Sequence, residues 1–236
     1  TGDPSTAQFQ ESYKFVDEYR ASDKVSFLNL MSQIYSNDQV PLNIRHLALI
    51  LSYQLFPSDP FSLGPEAFTQ LGIPKELIEQ LLTTTVACFN QSGISNGAAT
   101  LYSRIACIDV VTKDEYNITK NLIQAFQTAP SEESFNSLSI IMADLFQYSK
   151  MDAEELNAIL SAIFQYLSAS ESTDSMRNHC LRILRSFINN LKKLLVDEED
   201  LQNLFTPLFT ALFQMSQHPP TKAEAFRCWT EFAINY

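Results

Sequence analysis

Few residues in this 236-residue chain have the type and spacing to do chemistry. Its three histidines, His46, His179 and His218, form no HxxxH or HExxH pair and have no carboxylate-rich motif beside them, so metal ligation is not expected. His179 and Cys180 are adjacent on a helix and point different ways, which argues against a Cys–His nucleophile pair. There is no GxSxG elbow. The acidic run Asp197-Glu198-Glu199-Asp200 could attract a divalent ion, but it lacks DDxxD spacing and a second acidic site. The five glycines, Gly2, Gly64, Gly72, Gly93 and Gly97, include no pair spaced to cradle a phosphate. The four cysteines (Cys88, Cys107, Cys180, Cys228) contain no CxxC and each sits among apolar residues, as buried free thiols in a reducing compartment do. On that reading the sequons at Asn90 and Asn117 are chance matches. The chain reads as a protein without cofactor, metal or catalytic residues.

Charge narrows the partners. Sixteen Lys+Arg against 27 Asp+Glu leave a net charge of −11. Nucleic-acid affinity comes mainly from Lys and Arg neutralising phosphates, so a nucleic-acid partner is not expected. The one local basic excess is Arg177, Arg182, Arg185, Lys192 and Lys193, read first as a solvated helix face and second as a partner surface. No apolar run reaches 18 residues, so no membrane-spanning helix is expected.

The elements that position these residues are helices. Few glycines and an apolar spacing of three to four residues predict an all-α chain. The spacing marks helices at roughly 6–20, 23–36, 41–56, 74–91, 94–112, 114–128, 132–148, 152–168, 173–194, 197–216 and 220–236. Prolines fall between the stripes, save Pro207, which should kink the tenth helix. Ser131, Asp152 and the 197–200 run stand where helices start, where their oxygens can accept from unpaired backbone N–H groups.

The helices pair, and the pairs recur. First members start near 6, 41, 94, 132, 173 and 220, an average interval of about 43 residues, within the ~40–47 of HEAT and armadillo arrays. The long second interval holds the Pro-rich stretch 57–65, read as a loop. Arg45 with Ala48-Leu49, Arg177 with Cys180-Leu181, and Lys222 with Ala225-Phe226 repeat one pattern in register. The small residue lets helices approach, and the basic one can bind acids or carbonyls of the adjacent repeat. The fold expected is a right-handed α-solenoid of about five and a half HEAT-type helix pairs. It forms a single array with repeats at about 6–36, 41–91, 94–128, 132–168, 173–216 and 220–236, the last truncated.

What remains for function is surface. The second helices of the first four pairs carry polar stripes opposite their apolar faces: Ser26, Asn29 and Gln33; Glu76, Glu79, Gln80, Thr83 and Asn90; Asn117, Lys120, Asn121 and Gln124; Glu154, Asn157, Ser161, Gln165 and Ser168. Many are uncharged, where an ordinary wet face would carry Lys and Glu. Aligned along a solenoid, such faces make an extended concave protein-binding surface.

The stretch 7–56 resembles the N-terminal domain of the importin-β (karyopherin-β) nuclear transport receptors. Phe9, Phe15, Val16 and Tyr19 mark its first helix, and Phe27-Leu28 with Ile34 the second. The run from Val40-Pro41 through Arg45 and Ala48 to Leu51 looks like the family's third helix. The stretches 173–194 and 220–236 look like the first helices of repeats five and six. A Lys common near the end of the family's third helix is missing from Ser52-Tyr53-Gln54-Leu55-Phe56.

The resemblance implies a HEAT superhelix that carries cargo between cytoplasm and nucleus through nuclear pores. It implies Ran in its GTP form on the inner second helices, at Asn29, Gln33, Glu79, Thr83, Asn117, Lys120, Gln124, Asn157 and Ser161. It implies Phe-Gly nucleoporins between the outer first helices, at Leu184, Phe187, Ile188, Phe226 and Trp229. Cargo or an adaptor would bind regions absent from this chain, and the unpartnered final helix predicts an N-terminal fragment of a longer protein. The runner-up is a HEAT scaffold for another assembly, such as a phosphatase-type platform. A third reading is an all-α metal-dependent enzyme using 197–200.

Overall fold

Each stripe of apolar residues becomes the buried side of a helix. The computed structural model describes residues 7–63, 66–112, 118, 121–124, 131–148, 153–194 and 198–236; at 7–9, 112, 153–155 and 198–203 only the backbone is described. The helices are α1 (Ala7–Ser22), α2 (Lys24–Ser36), α3 (Leu42–Tyr53), α4 (Ala67–Leu71), α5 (Lys75–Val86), α6 (Ser95–Thr112), α7 (Glu132–Tyr148), α8 (Ala153–Ser168), α9 (Asp174–Leu194), α10 (Glu198–Gln217) and α11 (Pro219–Asn235). In α8, Leu156, Ile159, Leu160, Ile163 and Leu167 are buried. Asn157, Ser161, Gln165 and Ser168 on its other side are exposed.

Local chemistry sets the ends. Asp23 caps α2, its carboxylate accepting from Ser26 N at 3.0 Å. Ser131 and Ser134 cap α7 reciprocally: Ser131 Oγ accepts from Ser134 N (3.1 Å), and Ser134 Oγ from Ser131 N (2.8 Å). Pro41 and Pro74 immediately precede α3 and α5, and Pro219 opens α11. Gly72 ends α4 at φ 69°, a left-handed turn that suits glycine. At Gly97 a Cβ would stand 3.2 Å from the Leu49 side chain, so a larger residue would push α6 away from α3.

The helices form two layers. First members α3, α6, α7, α9 and α11 pack side by side in that order, while α2 packs on α5 and α8 on α10. Apolar burial between the layers drives the stacking, since isolated helices of this length are marginal in water. The core is one continuous cluster from Phe27 to Cys228. Helix α6 is deeply buried: Leu101, Tyr102, Ile105, Ala106 and Ile108 are all essentially inaccessible. The fold is the all-α solenoid expected.

Polar side chains bind neighbouring repeats at separations close to the repeat period. Tyr35 Oη lies 2.7 Å from Thr84 Oγ1, Gln80 Nε2 donates to Ser32 Oγ at 3.2 Å, and Thr173 Oγ1 donates to Glu132 at 3.1 Å. Asn178 Nδ2 donates to the Pro220 carbonyl at 3.2 Å, and His218 Nε2 sits 2.7 Å from Asp174 Oδ1.

The repeated basic residue has a defined task at two of its three places. Arg45 Nε donates to the Tyr35 carbonyl (2.8 Å) in the last turn of α2, and Arg177 Nη2 to the Ala169 carbonyl (2.8 Å) just after α8. Each first helix thus caps the open C-terminal end of the preceding second helix. At the third place Thr221 does this instead, its Oγ1 donating to the Met215 carbonyl at 2.8 Å, while Lys222 lies over the Phe226 ring at 5.9 Å.

Three details differ from the sequence reading. The stretch 57–65, expected as loop, contains a 3-10 turn at Pro60–Ser62 capped by Asp59, and the short helix α4 follows it. Helix α5 ends at Val86, five residues before the expected 91, and α3 at Tyr53 rather than 56. Most of 114–128 lies outside the described residues. Residues 118 and 121–124 are helical, with Ile118 and Leu122 buried. Helix α10 runs through Pro207, whose ring nitrogen has no hydrogen to donate.

Candidate partner-binding faces

The face expected on the inner side is built on α2, α5 and α8. Their apolar sides are consumed by the core, which turns the opposite sides to solvent. On α2, Gln33 is exposed and Asn29 half-buried. On α5, Glu79 and Thr83 are exposed. Thr83 Oγ1 donates back to the Glu79 carbonyl at 2.8 Å, so its hydroxyl hydrogen is committed within the helix. The Tyr35–Thr84 and Gln80–Ser32 bonds tie α2 to α5 and hold these groups in one frame. Burial drives the Tyr35 hydroxyl well above the ordinary tyrosine range, so it stays protonated and can donate.

On α8, Asn157 and Ser161 are exposed; Gln124 is exposed as well. Asn117 and Lys120 lie outside the described residues. One residue on this face escaped the sequence reading. Leu30 is 42% exposed on α2 between Ser26 and Gln33. Its position one turn from each was the available signal, but a stripe defined by polarity passes over a leucine.

The outer face corrects part of the expectation. Leu184, Phe187 and Ile188 are 0–1% exposed and fill the core, with Phe187 edge-on to Phe146 of α7 at 5.7 Å between centroids. They do not line an open groove. Trp229 is half-buried and stacks on Phe209 of α10, the second helix of the preceding pair, at 5.3 Å. Phe226 is 52% exposed. The reason is geometric. A first helix uses one wide apolar stripe against both its partner and its neighbours, and periodicity cannot separate core from groove.

The remaining chemistry is quiet. All four cysteines are free and buried. Burial pushes the Cys88 thiol up to about 11, and those of Cys107 and Cys228 to about 12. Among the described residues no group of three or more His, Cys, Asp or Glu could hold a metal, and no helix is long and apolar enough to cross a membrane. The side chains of 197–200 lie outside the described set.

The fold and faces define a class, the α-solenoid of HEAT-type helix pairs, whose binding surfaces are helix faces rather than a pocket. Solved structures show what the fold is similar to. The chain superimposes on yeast importin-β (Kap95p) with a TM-score of 0.79 at 18% identity, covering 99% of this chain and 28% of that one. It matches a Kap95–Nup1 complex at 0.75 and 18%, covering 96% and 27%. It also matches a structure of Kap95p bound to RanGDP, whose switch loops Kap95p induces to adopt the GTP-bound conformation, at 0.74 and 18%, covering 97% and 26%. At this identity the likeness establishes an importin-β-like fold, and the chain spans about a quarter of the length of the proteins it matches. No family model and no curated protein matches the sequence.

Proposed function

We propose that this chain is a protein-binding module of a nuclear import receptor, corresponding to the family's N-terminal repeats and working between cytoplasm and nucleus at the pore. The observation that carries the reading is the superposition over 99% of the chain on importin-β, solved with Nup1 and with Ran. The presence of Leu30 and several uncharged polar groups on the inner face supports it. Ran in its GTP form binds the second helices through Asn29, Gln33, Glu79, Thr83, Gln124, Asn157 and Ser161, with Asn117 and Lys120 as further contacts. Phe-Gly nucleoporins bind the outer face around Phe226 and Trp229. Cargo or an adaptor engages parts of a receptor outside this chain. The repeats divide as the helix pairs do, at about 6–36, 41–91, 94–128, 132–168, 173–216 and 220–236. The module binds and does not catalyse.

Calorimetry of the chain against Ran loaded with GTP or GDP tests this. Tighter binding of the GTP form is expected, and equal or absent binding of the two forms contradicts it.

A further inference from the structure

Helix α9 has five basic residues and one acid, Asp174, in a chain of net −11. Asp174 is already engaged, by Arg177 Nη1 at 3.2 Å and His218 Nε2 at 2.7 Å. Arg177 turns inward to the Ala169 carbonyl. Arg182 is exposed, with His179 Nδ1 3.4 Å from its Nη1. One turn on, Arg185 Nη1 lies 2.8 Å from Glu224 Oε1 of α11, close as an ion pair but off hydrogen-bond alignment. The other oxygen of Glu224 accepts from Arg227 Nη1 at 2.7 Å. Glu224 is 5% exposed, whereas Arg185 and Arg227 are 36% and 63% exposed by side chain.

The outer α9–α11 seam therefore buries its carboxylate and presents guanidinium groups. Exposed Phe226, with Lys222 5.9 Å from its ring, adds an apolar contact beside them. Two other carboxylates face this region: Glu132 of α7, near His179, and Glu231 of α11, near Cys228.

We propose that this seam, built on Arg182, Arg185 and Arg227 beside Phe226, docks an acidic segment of a partner protein. Guanidinium forks match carboxylates in a bidentate geometry, which makes arginine the residue for this recognition. Glu224 holds two of the forks in place before a ligand arrives, and so lowers the ordering cost of binding. The short extent of the patch and the strongly acidic remainder select an isolated acidic segment over a nucleic acid, whose affinity needs many phosphate contacts. The inference does not depend on the transport reading, because it uses the charge of the seam and no property of Ran or nucleoporins.

Fluorescence anisotropy of a labelled peptide of alternating Glu and Leu, against its Gln/Leu counterpart, tests it. The Glu peptide binds and the Gln peptide does not, and raising salt from about 50 to 300 mM weakens binding severalfold. Arg182→Glu with Arg227→Gln lowers affinity at least about tenfold, whereas Lys14→Glu on α1 leaves it unchanged. Urea unfolding of each variant verifies the fold. Should the double variant not fold, Arg182→Glu alone, outside the Glu224 network, lowers affinity about threefold. The proposal is overturned by unchanged binding in the Arg182 variants, by equal binding of the Gln peptide, by a single-stranded RNA of equal charge binding more tightly, or by self-association through the same arginines.

Discussion

The outer and inner layers of this solenoid are both rows of amphipathic helices, yet they do different work. In the outer row, α6, α7 and α9 are buried on several sides, and Tyr102, Phe146 and Phe187 sit at 0–1% exposure. In the inner row, α2, α5 and α8 bury one side and present Gln33, Thr83, Asn157 and Ser161 to solvent. Helices α6, α7 and α9 each have a neighbour before and one after in their row and lie against a helix of the other layer, so their large apolar residues find protein, whereas α3 and α11 leave Leu42, Ile44, Leu47 and Phe226 exposed. An inner helix is covered on fewer sides, and the side left open is where sequence can vary without disturbing packing. Stability therefore concentrates in the outer row, and recognition has room on the inner one.

Large-to-small substitution separates the rows most sharply. Phe187→Ala is expected to cost about 3–5 kcal/mol by leaving a cavity between α7 and α9, read as a lowered urea midpoint. Gln33→Ala on the inner row should stay within about 0.5 kcal/mol of the parent. Equal losses would erase the distinction.

The Arg45 cap comes next. Arg45 is 6% exposed, donates to the Tyr35 carbonyl and to Gln91 Oε1, and pairs with Asp38 at 3.1 Å. Arg45→Ala is expected to cost about 2–3 kcal/mol, because it leaves the Tyr35 carbonyl with only the weak Cys88 thiol as a side-chain donor. Arg45→Lys should recover only part of this, lacking the fork. Full recovery by lysine would show that charge alone matters.

The buried thiols give a pH test of the core. Their pKa values are raised in the fold, to about 11 for Cys88 and about 12 for Cys107 and Cys228. The stability they contribute is complete below the unfolded thiol pKa and is lost as pH rises through the folded values. Stability should fall above about pH 9, and native thiols should resist a disulfide reagent until urea unfolds the chain. Rapid labelling of the native protein would contradict the burial.

The smallest effect belongs to Asp174 at the surface. The hydrogen bond from His218, with Arg177 beside it, holds this carboxyl below its ordinary value. A depressed pKa contributes stability above the unfolded value and loses it as pH falls through the folded one. Asp174→Asn should therefore lower the midpoint slightly at pH 6, and the difference should shrink as pH falls below the usual carboxylate pKa and vanish below the depressed folded one.

Much of this was legible beforehand, for reasons visible in particular residues. The stripe Cys180, Leu181, Leu184, Phe187, Ile188 and Leu191 announced α9, and all six residues are buried. The period was readable because stacking repeats the same contacts at the same interval, as the Thr173–Glu132 and Asn178–Pro220 bonds show. Arg45 and Arg177 were picked out by register, although their carbonyl partners required coordinates. The outer groove was misread, since Leu184 and Phe226 share an apolar character while one is buried and the other open. The charged seam was hidden because Arg185 and Glu224 meet only through tertiary packing. Leu30 was passed over because exposure is decided by the neighbouring helices and not by its own side chain.

The division of labour between the rows is tested most directly by placing Glu at Asn29, Gln33 and Thr83 together and titrating the variant with GTP-loaded Ran in a calorimeter. The account predicts that the urea midpoint stays within about 0.5 kcal/mol of the parent while Ran binding weakens by about a hundredfold or more. Unchanged affinity in a folded variant would contradict the assignment of the inner face.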